Sequence, residues 1–160
     1  MNEEQLCLRA LQLAQAAVDH GNHPFGALLA TAAGDIVIEC ENTVNTGKDP
    51  SAHAEMNVVR QLGSKKLLGP ELQTMTLYTS TEPCMMCCGA LYWSGVAKVV
   101  YVSSEKALAK HAGDDFLCPC RETFAKGKRQ VEVKGPVMEE EGEKLHAAYW
   151  PMLFASSASS

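Results

Sequence analysis

His53 and the pair Cys84 and Cys87 each stand at the start of a predicted helix. Hydrophobic periodicity predicts that the first helix runs to about Leu62, and the second opens with a proline and ends at a glycine. The apolar strand "MTLYTS" lies between them. A metal site can form from all three side chains only if the fold returns both helix starts to one place. This requirement constrains the fold more than any other feature of the chain.

The order of the remaining elements indicates an α/β fold. Apolar residues at helical spacing predict a first helix over residues 3–20, and "FGALLAT", "AAGD" and "IVIECE" together predict a β-hairpin. After the His53 helix the chain alternates between predicted strands at 75–80, 97–104 and 130–137 and predicted helices at 83–95, 105–111 and 138–150. Strand–helix–strand crossovers imply parallel pairing with right-handed connections. The sequence therefore predicts a three-layer domain, with a mixed sheet between two layers of helices.

Length and charge indicate one domain that acts on a small substrate. The 160 residues suit a single core, which we assign to residues 1–154, with a disordered tail at 155–160. No apolar run approaches the roughly twenty residues needed to span a bilayer, and the N-terminus lacks the features of a targeting peptide, so we expect a cytoplasmic protein. The net charge is −5, and the basic cluster "KGKR" at 126–129 is interpreted as a solvated turn. Nucleic-acid binding is therefore not expected.

The ligand types and their number favour a catalytic zinc site. Cys84 and Cys87, three residues apart in the first turn of a helix, form a common zinc half-site at the helix end that favours thiolates. His53 brings the number of protein ligands to three. A structural zinc site usually has four, so three ligands leave a position for water. Zinc lowers the pKa of such a water towards neutrality and makes it a nucleophile.

Two other interpretations of the cysteines remain open at this point. A fourth protein ligand from Cys88, Cys118 or Cys120 would close the site and make the zinc structural. Alternatively, Cys84 and Cys87 could form a redox pair, although their context is unlike a thioredoxin motif. Seven cysteines without a secretory signal do not resemble a disulfide framework, so the others are interpreted as buried or loose thiols.

Glu55 is the candidate proton carrier. It could take a proton from water, pass it to a substrate ring nitrogen and later protonate the departing amine. The alternatives are a surface carboxylate or a partner of a metal ligand. The combination of His-x-Glu with a later Pro-Cys-x-x-Cys is the pattern of zinc-dependent deaminases.

At these residues the chain resembles the cytidine deaminase superfamily, from the first helix to about residue 150. The stretches "PFGALLA", "DPSAHAE", "LYTSTEPCMMCCGALYW" and "AGDDF" are most similar to the guanine deaminase branch. This resemblance implies one zinc per chain held by His53, Cys84 and Cys87, with Glu55 as the acid/base. It also implies a five-stranded mixed sheet of order 2-1-3-4-5 whose last two strands are parallel, and a homodimer.

The resemblance also implies a set of substrate contacts. Asn42 matches an asparagine that hydrogen-bonds the base, and Phe25 matches an aromatic lining residue. Gly26 and Ala54 would place backbone close to the base, and Asp115 matches an acidic residue that contacts the purine amino edge. Each has a simpler alternative: Asn42 can be a turn residue, Phe25 core, and Asp115 a loop cap.

The expected reaction is the hydrolytic deamination of an amino-substituted purine or related heterocycle, with guanine first. The alternatives are a tRNA adenosine deaminase, a deaminase of cytosine-, pterin- or triazine-type bases, and a zinc-stabilised binding module without activity. Bacterial guanine deaminases can place a terminal tyrosine in the partner's pocket. Here Tyr149, Trp150 or Phe154 could take that place, or could anchor the last helix in the core.

Overall fold

The computed structural model describes residues 1–113 and 116–158, so Asp115 lies outside the described residues. The five strands are β1 (Gly26–Ala30), β2 (Ile36–Glu41), β3 (Thr76–Thr81), β4 (Lys98–Ser103) and β5 (Glu132–Lys134). The helices are α1 (Glu3–Asp19), α2 (Val44–Gly47), α3 (Ala54–Ser64), α4 (Met85–Ser94), α5 (Glu105–Ala112), α6 (Cys120–Ala125) and α7 (Glu139–Ser157), with a 3₁₀ helix at Pro70–Thr74.

The strands form one mixed sheet of order β2-β1-β3-β4-β5. Strand β1 pairs antiparallel with both β2 and β3, whereas β3 and β4, and β4 and β5, pair in parallel. The helices α4, between β3 and β4, and α5 and α6, between β4 and β5, form part of the crossovers that parallel pairing requires. The predicted order and the parallel pairing of the last two strands are both confirmed.

Alternating side chains of the central strands build two separate cores. In β1, Ala27 and Leu29 belong to one core, and Leu28 and Ala30 belong to the other. Helices α3 and α4 cover the first face of the sheet, and α1 and α7 cover the second. The period of two in a strand places successive side chains on opposite faces, so both faces of β1 must be apolar. This arrangement confirms the predicted three-layer architecture.

Helix α2 forms within the polar stretch "NTVNTGKDPS", whose composition is typical of a loop. The buried side chain of Asn22 stabilises the start of this helix. Its Oδ1 accepts hydrogen bonds from the backbone N–H groups of Asn45 and Thr46, at 3.1 and 3.0 Å. Because Asn22 lies more than twenty residues earlier in the chain, local sequence gives no sign of this support. The last strand of the sheet is shorter than the predicted strand over 130–137. β5 has three residues, and Pro136, just beyond it, has no N–H to extend the ladder.

The terminal helix α7 is longer than predicted. The sequence predicted a helix that ends at Trp150 and a disordered tail at residues 155–160. The structure continues the helix through Pro151 to Ser157, and the rings of Trp150 and Phe154 are in contact across the proline, with centroids 6.1 Å apart. Although α7 has 19 residues, no helix among the described residues has the length and apolar character that crossing a membrane requires.

The basic cluster near residue 128 serves the end of α4. The Arg129 guanidinium donates hydrogen bonds to the carbonyl oxygens of Tyr92 and Val96 and lies over the Tyr92 ring, 4.8 Å from its centroid. A cationic donor at a helix C-terminus satisfies carbonyls that have no helical partner. Lys126 and Lys128 are exposed to solvent. Within this basic segment, Arg129 therefore stabilises the C-terminus of α4.

Gly26, the first residue of β1, lies directly against the backbone of α1. A Cβ atom at this position would fall 2.4 Å from the amide nitrogen of Ala14 and 2.5 Å from the carbonyl oxygen of Ala10. Both are helix backbone atoms, which cannot turn aside as a flexible side chain can. The packing of α1 on the sheet therefore requires glycine here, independently of any substrate contact.

We expect Gly26→Ala to lower the free energy of unfolding by about 1–3 kcal/mol, because the added methyl forces α1 away from the sheet. Urea denaturation followed by circular dichroism measures this change. Gly63→Ala is the matched control, since a Cβ at Gly63 on α3 meets nothing within 4 Å. That helical substitution should instead raise the free energy of unfolding by about 0.5–1 kcal/mol. Equal stability of Gly26→Ala and wild type would contradict the packing argument.

Candidate metal centre and active site

The two predicted helix starts meet beside the C-terminal end of the central strand β3. His53 is the N-cap residue of α3, and Cys84 is the N-cap residue of α4. Cys87 lies in the first turn of α4 and is buried. Helices α3 and α4 pack against each other on the same face of the sheet, which brings the two N-termini together. The fold therefore satisfies the constraint set by the spacing of the three residues.

The three ligand atoms lie close enough to share one cation. The Nδ1 atom of His53 is 3.7 Å from Cys84 Sγ and 3.6 Å from Cys87 Sγ. All three atoms fall within 4.8 Å of one another. Tetrahedral zinc, with bonds of about 2.0–2.1 Å to nitrogen and about 2.3 Å to sulfur, requires N···S separations of about 3.6 Å. The donors and their spacing fit zinc, and His53, Cys84 and Cys87 are the residues that would hold it.

The electrostatics of the group favour a thiolate at Cys84. The hydrogen bond from Cys87 is the main cause that lowers the pKa of Cys84 to about 4, and His53 lowers it further, against the opposing effect of burial. Interaction with Cys84 in turn raises the pKa of His53. The thiolate is the form of cysteine that binds metals. The group is therefore arranged to present an anionic sulfur to a cation.

No fourth protein ligand joins this group among the described residues. The neighbouring thiol of Cys88 donates to the carbonyl oxygen of Pro83 at 3.3 Å. The Sγ atom of Cys118 lies 3.4 Å from the hydroxyl of Thr123, and Cys120 is fully buried. None of the three candidate fourth ligands therefore belongs to the group. Among the described residues the group has three protein ligands, as expected of a catalytic zinc site.

Glu55 is buried beside the ligand atoms. The hydroxyl of Thr79 donates its proton to Oε1 at 2.7 Å, and Oε2 lies 3.5 Å from Cys87 Sγ. Burial raises the pKa of Glu55, and the hydrogen bond from Thr79 opposes this shift. One carboxylate oxygen is therefore anchored to the central strand β3, while the other faces the ligand group. The sequence alternative of a surface carboxylate is wrong, because Glu55 is only 5% exposed.

A cavity of about 350 Å³ opens next to the ligand group. This volume is in the range typical of small-molecule sites. Most of its lining is apolar or acidic, and it contains no lysine or arginine among the described residues. The residues that line it are Phe25, Pro50, His53, Glu55, Glu82, Cys84, Met86, Glu105, Leu108, Ala112, Phe116 and Trp150.

The structure brings some of the expected substrate contacts to this cavity. Phe25 lines it, whereas Asn42, Gly26 and Ala54 are buried close by and are outside the lining set. The N–H of Asn42 donates to the carbonyl oxygen of Phe25 at 2.9 Å, and its Oδ1 accepts from Val44 N–H at 3.0 Å, which is a turn-forming bond. No described residue accepts a hydrogen bond from the Asn42 Nδ2 group, so that donor remains for another partner.

Glu82 and Glu105, two buried glutamates that were not expected from the sequence, line the cavity and hold its surrounding loops together. The carboxylate of Glu82 accepts hydrogen bonds from the N–H groups of Glu105 and Cys120, at 3.1 and 2.8 Å. The carboxylate of Glu105 accepts one from Cys118 N–H at 3.0 Å. These bonds attach the start of α5 and the start of α6 to the loop that carries Cys84. The one sequence feature that pointed to Glu82 as a site residue is its position two residues before Cys84.

Comparison with known proteins agrees with this geometry. Residues 1–103 match the cytidine and deoxycytidylate deaminase zinc-binding region. The chain is 33% identical over 146 residues to a probable cytosine deaminase of Schizosaccharomyces pombe, with 88% of each chain covered. It is 43% identical over 117 residues to the guanine deaminase of Bacillus subtilis, with 72% of each covered.

Among solved structures, the guanine deaminase from Nitrosomonas europaea has the same fold. Its TM-score is 0.82 at 24% identity, over 94% of this chain and 85% of that one. The fold, the three-ligand group and the match over the first 103 residues agree with one another. The chain therefore belongs to the cytidine and deoxycytidylate deaminase family and is a zinc-dependent hydrolytic deaminase that acts on C–N bonds.

Proposed function

We propose that this protein deaminates an amino-substituted purine or closely related heterocycle, with guanine as the first candidate, and releases xanthine and ammonia. The observation that carries the proposal is the cavity itself, where the ligand group, the buried Glu55 and the aromatic side chains of Phe25 and Trp150 meet. A flat heterocycle fits between aromatic walls, and its amino-bearing carbon can then face Glu55.

Glu55 carries the protons of the reaction. Zinc, when bound, supplies a Lewis acid that lowers the pKa of water towards neutrality. As a water oxygen bonds to the amino-bearing ring carbon, Glu55 accepts the water proton and passes it to the adjacent ring nitrogen. The remaining hydroxyl proton then moves through Glu55 to the amine, the C–N bond breaks, and ammonia leaves. The raised pKa of Glu55 suits a group that must both accept and release protons near neutral pH.

We assign the substrate contacts as follows. Phe25 packs against the plane of the base, and the Nδ2 group of Asn42 donates to a base acceptor. Ala54 and Gly26 present backbone beside the base, although packing against α1 already accounts for the glycine. Asp115 accepts from the purine amino edge. His53 and Glu55 line the cavity with Phe25, which supports placing the reacting carbon at this point.

The charge of the cavity supports a free base over a nucleic acid. Three glutamates line it, namely Glu55, Glu82 and Glu105, and no lysine or arginine is among the described lining residues. Nucleic-acid sites depend on cationic contacts to phosphate. An acidic lining repels phosphate groups, while carboxylates accept hydrogen bonds from the N–H groups of an amino-substituted base. A tRNA adenosine substrate is therefore disfavoured.

Cytosine is the second candidate. The relative from Schizosaccharomyces pombe, described as a probable cytosine deaminase, matches over a larger share of this chain than the Bacillus guanine deaminase does. A single-ring base would fill less of the cavity than guanine. We therefore place it after guanine, with pterin- and triazine-type bases as further possibilities.

We also propose that the protein works in the cytoplasm as a homodimer. Two apolar side chains of α4 are exposed, Met86 by 39% and Trp93 by 85%, which supports association through that helix. The molecular mass in solution, measured by light scattering, checks this proposal. A strictly monomeric mass at working concentration would contradict it.

The substrate is tested by measuring ammonia release from guanine, guanosine, adenine, cytosine, a pterin and a tRNA anticodon stem-loop. We expect guanine to have the highest kcat/KM and chromatography to identify the product as xanthine. A higher kcat/KM for cytosine would move the assignment to the second candidate. Turnover of the stem-loop with none of the free bases would refute the free-base proposal.

A further inference from the structure

The terminal helix reaches the cavity through one residue, Trp150. Its ring lies 6.3 Å from the Phe25 ring and is stacked on His23, with centroids 5.4 Å apart and planes inclined by 23°. Trp150 lines the cavity together with His53 and Glu55. The Trp150 indole therefore forms part of the cavity wall, and it belongs to the same chain as the ligand group.

His146, one turn earlier on α7, holds the indole through a hydrogen bond. The Nε1 atom of Trp150 lies 3.2 Å from Nδ1 of His146, and Nε2 of His146 lies 2.9 Å from the hydroxyl oxygen of Thr81. An indole N–H can only donate, so Nδ1 must be the acceptor. The neutral ring then carries its proton on Nε2 and donates it to Thr81. The hydrogen bonds thus fix the tautomer of His146 as well as its position.

Burial keeps this arrangement in a single protonation state. His146 is only 1% exposed, and burial lowers its pKa to about 4. A protonated ring would direct a second N–H at the indole N–H, and two donors cannot bond to each other. Both ring nitrogens already have protein partners, so His146 is not a further metal ligand. Thr81 is the last residue of β3 and lies three residues before Cys84. Its hydrogen bond with His146 therefore connects α7 to the strand that leads to Cys84.

We infer that His146 is a positioning residue, which fixes the Trp150 indole as a stacking wall of the base pocket and thereby sets the affinity for the base. This inference rests on the proposed function, since it takes the substrate to be a flat heterocycle. Stacking on an aromatic side chain stabilises a bound base without reading its hydrogen-bonding groups. His146 acts only through Trp150, so its loss should weaken binding and leave the chemical step largely intact.

The chain offers a direct spectroscopic test, because it has only two tryptophans. Trp93 is outside the cavity, so Trp93→Phe leaves Trp150 as the single emitter, and light scattering checks that this background keeps the wild-type mass. In that background we expect guanine, added as the probe, to quench the Trp150 emission. His146→Leu should shift the free emission to longer wavelength and weaken the quenching, since the indole is then no longer held in the wall.

Kinetics separate positioning from chemistry. Trp150→Ala should raise KM by about five- to a hundredfold, the range that corresponds to the loss of one base–aromatic stack. His146→Leu should raise KM by about tenfold, with kcat within about threefold of wild type. His146→Gln is the matched control, because its amide can both accept from the indole and donate to Thr81, and it should restore most of the affinity.

Thr81→Val provides a second variant if His146→Leu does not fold, and it should raise KM in the same direction by a smaller factor. Wild-type KM and unchanged quenching in both His146→Leu and Thr81→Val would overturn the inference. An effect on kcat alone would overturn it too. If guanine gives no quenching but cytosine or a pterin does, and KM for that base rises in His146→Leu, the substrate proposal fails while the positioning role is supported.

Discussion

Glu55→Gln is expected to lower kcat by about 10²–10⁴-fold, the range typical for losing a general acid–base group. Glutamine has almost the same shape, and its Oε1 can still accept the hydrogen bond from Thr79 that anchors Glu55 at 2.7 Å. What it cannot do is take up and release a proton. Because Glu55 is not among the three candidate ligands, zinc content should stay at about one ion per chain. Steady-state ammonia release and atomic absorption measure the two quantities on the same sample.

Glu140→Gln is the matched control for this prediction. Glu140 is an exposed glutamate in the first turn of α7, and its substitution changes the net charge by the same amount. We expect wild-type kcat from this variant. If Glu55→Gln turned over guanine within about threefold of wild type, Glu55 would not be the proton carrier. If it lost zinc together with activity, the role of Glu55 would be to support the ligand group instead.

Cys87→Ala is expected to remove the metal and reduce turnover to background. Two protein ligands, His53 and Cys84, would remain, which is fewer than zinc sites in proteins normally have. Zinc content after dialysis should fall from about one ion per chain towards none. Because a ligand that binds only the folded state stabilises it, the variant should also lose the increase in Tm that zinc gives the wild type, equivalent to about 2.7 kcal/mol at a hundredfold excess over Kd.

Cys88→Ala makes this test specific. Cys88 is the next residue on α4, is fully buried and bonds to the carbonyl oxygen of Pro83, outside the ligand group. Its substitution should keep both zinc and turnover, at a modest cost in stability from the lost side-chain packing. Zinc retained in Cys87→Ala and lost in Cys88→Ala would show that the ligand assignment is wrong. Treating the wild type with a chelator should reproduce the Cys87→Ala result, and added zinc should reverse it.

The sequence predicted those features that depend on residues close together in the chain. The periods of strands and helices, the proline before Cys84 and the glycine after α4 predicted the elements that carry the ligands. The number and type of ligands then predicted a three-ligand zinc group, and the structure brings His53, Cys84 and Cys87 close enough to hold one cation. These features depend on backbone preferences and ligand chemistry, which neighbouring residues determine.

The cavity walls depend on contacts between distant parts of the chain, which neighbouring residues do not determine. Glu82 is an ordinary residue of "TSTEPC" until the N–H groups of Glu105 and Cys120 are found on its carboxylate. Trp150 was one of three aromatic candidates, and only the packing of α7 places it in the cavity. The predicted helix over 138–150 was also too short, since α7 continues through Pro151 to Ser157.

The position of Trp150 on α7 has a consequence for how such a protein can evolve. The three candidate ligands and Glu55 all lie before residue 104, within the part of the chain that matches the family, whereas Trp150, Phe116 and Leu108 lie after it. Substitutions in the last third can therefore reshape the cavity without changing the residues to which we assign the reaction. A fold built in this way can change its preferred base by small steps, with every intermediate still able to hydrolyse a C–N bond.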